Sequence, residues 1–263
     1  MEHNPQPAAV LFLHSNSTAK EIFSRQAEAL PEPFGFIAVD LPGHGQSDDA
    51  PDPAAAYGAP GFAAYIGGLI DQLALADVVV VGNSLGGHVA LELAAHPAVR
   101  GIAISGTPPI APGPGGVGQG YRTDNPDLGL SAQEQLEPAQ ILTFADAVRD
   151  DGTANEPLWT AAVTRADGRV RRYFFEWLTS QDRRDHARLA IDCPVPLAII
   201  NGRNDKVIQH AHVESLPYKN LWRGAVQYIE DAGHAPFWQQ PEAFNAVLGP
   251  FLATIGTGKA PAR

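Results

Sequence analysis

Residues Val78–Gly87, VVVVGNSLGG, form the most informative pattern in this chain. Four consecutive valines favour a β-strand, and an unbroken apolar run is typical of a strand buried on both faces of a parallel sheet. A helical pattern, Ser84–Ala95, follows without a linker and ends before Pro97. The sequence therefore predicts a sharp turn from a central strand into a helix, with Ser84 at the turn.

Short apolar runs alternate with longer amphipathic segments on both sides of this stretch. The predicted strands are Ala9–Leu13, Phe36–Asp40, Val78–Val81, Gly101–Ser105, Leu197–Asn201 and Val226–Ile229. The predicted helices include Phe62–Leu75, Ser84–Ala95 and Pro241–Leu252. A further helix is predicted to begin at a capping box formed by Thr18 and Glu21 and to run to about Leu30. This alternation predicts an α/β fold with a mostly parallel sheet flanked by helices.

Residues 107–190 interrupt the alternation. The segment begins with prolines at 108–109 and with Pro-Gly-Pro-Gly-Gly at 112–116, a composition typical of loops. Helical patterns follow at about Ala132–Arg149, Glu156–Arg165 and Arg169–Ser180. A helical insertion between two parallel strands is most simply a cap over the carboxyl edge of the sheet, where open α/β sheets bind ligands. We therefore expect a core of residues 1–106 and 191–263 and a helical cap of residues 107–190.

The charge and composition argue against several kinds of partner. The 263 residues include 18 Lys and Arg against 29 Asp and Glu, a formal net charge of −11. An acidic surface disfavours nucleic acids and anionic membranes as partners. No run approaches the ~18 apolar residues of a membrane span, and Met1–Ala9 lacks the pattern of a signal peptide. We therefore expect a cytoplasmic protein, monomer or homodimer, that acts on a small molecule.

The residues Gly82, Ser84 and Gly86 match the pattern Gly-x-Ser-x-Gly. So short a pattern also arises by chance, and a glycine-rich helix start with an N-capping serine would look the same. The position between a buried strand and a helix favours catalysis instead. A nucleophile at such a turn is exposed above the sheet, and the helix N-terminus stabilises developing negative charge. Ser84 is therefore the predicted nucleophile.

A serine nucleophile needs a base that accepts its proton and an acid that orients the base. His234 follows the last predicted strand in the segment DAGHAPF, and Asp205 follows the preceding strand in NGRND. Asp231 is nearer to His234 in the chain, but it lies at a strand end and is kept as the alternative acid. The sequence therefore predicts a catalytic triad of Ser84, Asp205 and His234.

Further motifs follow the first two predicted strands, LHSN at 13–16 and DLPGHGQS at 40–47. With the Ser84 turn, they resemble the α/β-hydrolase superfamily over nearly the whole chain. The resemblance implies an oxyanion hole made by the backbone N–H groups of Leu85 and Asn16, although Ser15 stands where glycine is usual. A serine nucleophile excludes the haloalkane dehalogenases and epoxide hydrolases of this fold, which use aspartate.

Members of the superfamily usually carry an antiparallel hairpin before the first parallel strand. Only eight residues precede Ala9, so we expect that hairpin to be absent. Its absence would leave a sheet edge exposed, and a second copy of the chain could cover that edge.

A closer resemblance, to the metal-independent N-acyl homoserine lactonases of this fold, rests on six short segments. These are GTPP at 106–109, GVGQG at 116–120, DGR at 167–169, NGR at 201–203, NLW at 220–222 and GHAPF at 233–237. The resemblance implies opening of the lactone ring of bacterial signal molecules, with no metal or cofactor. A cap tyrosine of those lactonases has no clear counterpart here; the nearest residues are Phe144 and Asp146.

The sequence thus predicts a serine hydrolase that cleaves an ester or lactone through an acyl-enzyme, with N-acyl homoserine lactone as the favoured substrate. Phe144 and Trp159 are expected to line an apolar tunnel for the acyl chain, beneath the cap. The alternatives are a general carboxylesterase, a C–C bond hydrolase of ring-cleavage products, and a hydrolase-fold protein that binds a ligand without turnover.

His210 and His212 have a spacing that metal ligands can have, but neither Cys nor a third His lies near them, so no metal is expected.

Overall fold

The computed structural model describes residues 8–150 and 156–256, and it contains a sheet of six parallel strands. The strands are β1 (Ala9–Leu13), β2 (Gly35–Val39), β3 (Val78–Asn83), β4 (Val99–Ser105), β5 (Leu197–Gly202) and β6 (Gln227–Ile229). Their order across the sheet is β2-β1-β3-β4-β5-β6. The predicted parallel sheet is confirmed. The expected absence of an N-terminal hairpin concerns residues 1–7, which lie outside the described residues.

The helices pack on both faces and on the carboxyl edge of the sheet. They are α1 (Ser24–Ala27), α2 (Pro53–Ala56), α3 (Ala59–Gln72), α4 (Leu85–Leu93), α5 (Gly113–Gly120), α6 (Pro138–Arg149), α7 (Pro157–Arg165), α8 (Gly168–Thr179), α9 (His186–Ile191), α10 (His210–Ser215), α11 (Pro236–Gln239) and α12 (Pro241–Gly256). Short 3₁₀ turns lie at Lys20–Phe23, Pro126–Ala132 and Trp222–Gly224. None of the helices in the described part of the chain has both the length and the apolar character that a bilayer crossing needs.

The valine run forms the centre of the sheet because its side chains pack into the hydrophobic cores on both faces. Val78 and Val80 belong to the hydrophobic core on one face, and Val79 and Val81 belong to the core on the other. All four valines are buried. Since alternate residues of a strand point to opposite faces, a strand covered on both sides needs apolar residues at every position.

Two predictions about local structure are wrong. The Thr18–Glu21 capping box does not form, because the Thr18 hydroxyl donates to the Ser15 carbonyl instead and Ala19 precedes the 3₁₀ turn. The glycine-rich stretch predicted as a loop is in part the helix α5. A Cβ at position 116 of that helix would overlap the Ala111 carbonyl oxygen. The glycines therefore let α5 lie directly against the chain that leads into it.

Between β4 and β5 the described residues form helices and turns, α5 to α9 with one 3₁₀ turn, and no strand. Arg171 of α8 fastens this helical segment to the core. Its buried guanidinium donates to the Ser17 hydroxyl at 3.0 Å and to the carbonyl oxygens of Gln133 and Glu134. One side chain thus joins the loop after β1 to two parts of the inserted segment.

Two buried histidines hold the loops that follow β1 and β2. His14 donates from Nδ1 to the Ser15 carbonyl, and its Nε2 accepts the Leu41 N–H at 3.0 Å. His44 donates to the Pro42 carbonyl and accepts the Ser17 N–H at 3.1 Å. Each ring uses one nitrogen as donor and the other as acceptor, which requires the neutral imidazole. Burial accordingly lowers the pKa of His14 to about 4 and that of His44 well below its usual value.

We expect His14→Gln to make the free energy of unfolding less dependent on pH in the acid range. Between pH 6.5 and 4 His14 takes up a proton in the unfolded chain but stays neutral in the folded chain, because the pKa of His14 in the folded chain is about 4. Acidification over this interval therefore favours unfolding by about 3 kcal/mol through this group. Urea unfolding at pH 7, 5.5 and 4 would show the variant less stable at pH 7 but losing less on acidification. An equal loss in both proteins would contradict this account of His14.

Candidate active site

Ser84 occupies a strained turn that glycines on both sides make possible. Its backbone has φ 54° and ψ −113°, between the end of β3 and the start of α4. A Cβ at Gly82 would overlap the carbonyl group of Gly86, and one at Gly86 would overlap the Leu13 carbonyl. Because neither glycine has a side chain, α4 starts against the end of β1 and the Ser84 side chain projects from the carboxyl edge.

His234 and Asp205 meet at this edge. His234 lies between β6 and α11, and its Nδ1 is 2.9 Å from Asp205 Oδ2. The other carboxylate oxygen of Asp205 accepts the Val207 N–H at 2.7 Å. Asp231, the alternative acid, is exposed at a turn with φ 55° and makes no such contact in the described structure. The geometry therefore brings Asp205, and not Asp231, to His234.

The buried pair perturbs both pKa values in opposite directions. Burial by itself would raise the pKa of the Asp205 carboxyl, but the charge and hydrogen bond of His234, with the Val207 amide, hold that pKa below its usual value. Burial by itself would lower the pKa of His234, but the Asp205 carboxylate outweighs it, and the pKa is raised. The arrangement gives an ionised Asp205 and a histidine of increased basicity, which suits a general base.

Three residues to which the sequence analysis assigned no role in the site hold His234 in place. The side-chain amide of Asn83 donates to the His234 carbonyl at 3.0 Å and to the Ser105 carbonyl at 3.1 Å. Gly106 has φ +59°, and a Cβ there would lie 2.7 Å from His234 Cε1. Asn201 accepts the Gly106 N–H at 3.0 Å. Two signals were available: each of the three lies at or just after the end of a parallel strand, and Gly106 and Asn201 belong to segments that resemble the lactonases.

Both residues predicted to form the oxyanion hole lie near Ser84, because Leu85 follows it in the chain and Asn16 lines the same cavity. Leu85 is the first residue of α4, so its N–H has no acceptor within the helix. In the described part of the chain neither the Leu85 N–H nor the Asn16 N–H donates to another protein group. Ser15, which replaces the usual glycine, donates its hydroxyl to Asn83 Oδ1, so the departure adds a contact between this loop and β3.

A cavity between the sheet edge and the helical segment contains this group. Its polar lining includes Ser84, His234, Asn16, Tyr121 and Ser131, and its apolar lining includes Phe144, Val148, Phe174, Phe175, Leu178 and Val207. The enclosed space is about 70 Å³. It shares Asn125, Asp127 and Ala147 with an open cleft of about 600 Å³.

Phe144 lines the cavity as the sequence analysis expected, whereas Trp159 does not. Trp159 is fully buried in a hydrophobic core, with its ring at 5.7 Å from that of Trp238. The expectation for Trp159 is therefore corrected, because packing against α11 turns this side chain away from Ser84. No group of three His, Cys, Asp or Glu side chains that could hold a metal ion is found among the described residues.

The comparison with known proteins agrees with this geometry. A model of the alpha/beta hydrolase family matches residues 10–247. A point variant of the N-acyl homoserine lactonase AidH, complexed with N-hexanoyl homoserine, has a TM-score of 0.90 and 35% identity, covering 98% of this chain and 93% of that chain. AidH complexed with N-butanoyl homoserine has a TM-score of 0.89 and 34% identity, with the same coverage. The resemblance drawn from short segments is confirmed.

Relatives by sequence act on several kinds of substrate. A pimeloyl-[acyl-carrier protein] methyl ester esterase of Neisseria meningitidis serogroup B is 30% identical over 262 residues, 92% of this chain and 92% of that protein. The monoacylglycerol lipase ABHD6 of Bos taurus is 25% identical over 96% of this chain and 77% of its own length. The dihydrolipoyllysine-residue acetyltransferase component of the acetoin cleaving system of Cupriavidus necator is 29% identical, and the chain spans 62% of that protein.

The match to the family model extends over most of the chain, and the six-stranded parallel sheet has the Ser84 turn at its centre. The esterase relative is similar over nearly the whole length of both proteins. This chain belongs to the alpha/beta hydrolase family.

Proposed function

We propose that the protein is a serine hydrolase that opens N-acyl homoserine lactones through an acyl-enzyme on Ser84. One observation carries the proposal. The cavity that contains Ser84 and His234 is walled by apolar side chains of the inserted helices, in a chain that matches AidH structures over 98% of its length. Ring opening of such signal molecules would end their action, which is quorum quenching.

The chemistry follows from the arrangement of the side chains. His234 Nε2 takes the proton of the Ser84 hydroxyl as Oγ attacks the lactone carbonyl, and Asp205 stabilises the imidazolium. The Leu85 and Asn16 amides donate to the oxyanion of the tetrahedral intermediate. Collapse breaks the ring C–O bond, and the departing alkoxide takes the proton from His234. A water then attacks the acyl-enzyme, with His234 again as base, and releases the hydroxy acid and free Ser84.

The cavity also bears on the acyl chain. Its volume of about 70 Å³ is well below the roughly 300–1,000 Å³ of pockets that bury a drug-sized ligand, so it holds only a short apolar segment. A longer chain must displace side chains or extend into the adjoining cleft. Phe175 is suited to such movement, because it lines the cavity and is also 36% exposed.

A general carboxylesterase is the second candidate, favoured by the 30% identity to the methyl ester esterase over 92% of both chains. A C–C bond hydrolase and a ligand-binding protein without turnover remain outcomes that assays can reveal. Three substrates distinguish these four candidate functions: N-hexanoyl homoserine lactone, p-nitrophenyl esters and a ring-cleavage product. Proton release or absorbance reports the hydrolysis of each.

Replacing the nucleophile gives the first test of the mechanism. Ser84→Ala should lower kcat/KM for lactone opening by about 10⁴-fold or more, with little change in thermal stability. Ser24→Ala is a matched control, since Ser24 is exposed on α1. Substantial activity in Ser84→Ala would exclude the serine mechanism.

The acid is tested by comparing Asp205→Asn with Asp231→Asn over a range of pH. Neutral His234 is the active base, so kcat/KM of the native protein should rise with pH through a midpoint above 6.5, because the pKa of His234 is raised. Asp205→Asn should lower turnover by orders of magnitude and move the midpoint to lower pH, because burial then acts on His234 without the opposing carboxylate. Asp231→Asn should change neither. The reverse pattern would identify Asp231 as the acid.

The wall of the cavity should set the preferred acyl length. We expect kcat/KM to rise about fourfold for each added methylene until the space is filled, since burial of a methylene contributes about 0.8 kcal/mol. Phe144→Leu enlarges the space and should move the plateau to longer chains. Leu142→Ala, an exposed position on the same helix, is the control. Rates that do not depend on acyl length would favour a general esterase.

A further inference from the structure

A chain of hydrogen bonds runs from a buried carboxylate to the cavity. Glu92 Oε1 is 2.8 Å from His186 Nε2, His186 Nδ1 is 2.9 Å from His88 Nδ1, and His88 Nε2 is 2.9 Å from the Tyr121 hydroxyl. The side chains of Glu92 and His186 are 3% and 0% exposed, and His88 and Tyr121 are buried as well. Tyr121 lines the cavity that contains Ser84 and His234. The proposed mechanism uses none of these four groups.

The carboxylate fixes the direction of the first two hydrogen bonds. Burial alone would raise the pKa of Glu92, but His186 and Arg184 lower it, so the carboxylate is ionised and can only accept. His186 therefore donates from Nε2. Burial lowers the pKa of His186, which keeps the ring neutral despite this partner. Its Nδ1 then has no proton, and His88 must donate to it.

The same logic continues to Tyr121. Burial also lowers the pKa of His88, and a neutral His88 that donates from Nδ1 can only accept at Nε2. The Tyr121 hydroxyl must therefore donate its proton to His88. Burial raises the pKa of Tyr121, which keeps that proton in place. The Tyr121 oxygen is left with lone pairs alone for any second partner.

We propose that Tyr121 determines specificity: its hydroxyl oxygen, fixed as an acceptor, binds the amide N–H of an N-acyl homoserine lactone in the Ser84 cavity. The inference rests on the proposed function and adds a contact to it. A simple ester has no N–H for this oxygen, and a buried acceptor without a donor disfavours binding. Glu92 acts as a positioning residue, because it sets the direction of every hydrogen bond in the chain without touching the substrate.

The test uses two substrates that differ in one group, N-hexanoyl homoserine lactone and its analogue with a methylene in place of the amide N–H. The native enzyme should favour the amide by about 10- to 100-fold in kcat/KM, mainly through KM, since the contact exists in the ground state as well. Tyr121→Phe should lower kcat/KM for the amide to nearly the value for the analogue. The same substitution should change kcat/KM for the analogue less than threefold. Tyr65→Phe, an exposed tyrosine on α3, is the control.

Glu92→Gln tests the chain at its far end. A glutamine amide can donate to His186 Nε2, which permits every hydrogen bond to reverse and allows the Tyr121 hydroxyl to donate into the cavity. The preference for the amide should fall while activity on the analogue stays the same. If these residues had only a structural role, kcat/KM would fall equally for both substrates. Thermal unfolding of each variant would then show the accompanying loss of stability.

The outcomes separate this inference from the proposed function. If the native enzyme opens both lactones equally, or if Tyr121→Phe leaves the preference intact, the role of Tyr121 is overturned and the lactonase proposal stands. If the native enzyme opens neither lactone, the lactonase proposal fails and the inference fails with it. A preference that disappears in Tyr121→Phe and falls in Glu92→Gln, with the analogue unaffected, supports the contact.

Discussion

The close approach of α4 to β1 determines where the groups of the candidate site lie. Gly86 lies where any side chain would overlap the Leu13 carbonyl, and its N–H donates to the His14 carbonyl at 3.1 Å. This contact sets the turn of Ser84 above the sheet and places the start of α4 beside the loop that contains Asn16. A larger residue at position 86 would separate the two amides that face the same reacting oxygen in the proposed mechanism.

Buried histidines at this edge differ in basicity because of what surrounds each ring. His234 and His186 each contact a buried carboxylate, yet the pKa of His234 is raised and that of His186 is lowered. Burial opposes the charged form in both. Around His186, Arg183 and Arg184 add repulsion, whereas Asp150 adds further attraction at His234. One carboxylate–histidine pair is therefore suited to accept a proton, and the other only orients a hydrogen bond.

Local pattern was sufficient to predict the strands and to place Asp205 and His234 in loops at the carboxyl edge of the sheet. The valine run determines a strand buried on both faces, and the loops after β5 and β6 end the alternation with Asp205 and His234. The orientation of a side chain within the inserted segment depends on packing between distant elements. Trp159 contacts Trp238, and Asn83 contacts the His234 carbonyl; no spacing along the chain encodes either contact.

The helix α5 shows how composition that favours a loop can serve a helix. Glycine destabilises a helix in isolation, but a Cβ at position 120 would overlap the Ile110 side chain. The close packing that glycine allows places Tyr121 at the end of this helix, where its N–H donates to the Val117 carbonyl and the following N–H, of Arg122, donates to the Val207 carbonyl. The second bond joins Arg122, the residue after Tyr121, to the segment that follows Asp205. The glycines of α5 thus hold Tyr121 between the buried His88 and the cavity, which is the position that its proposed role requires.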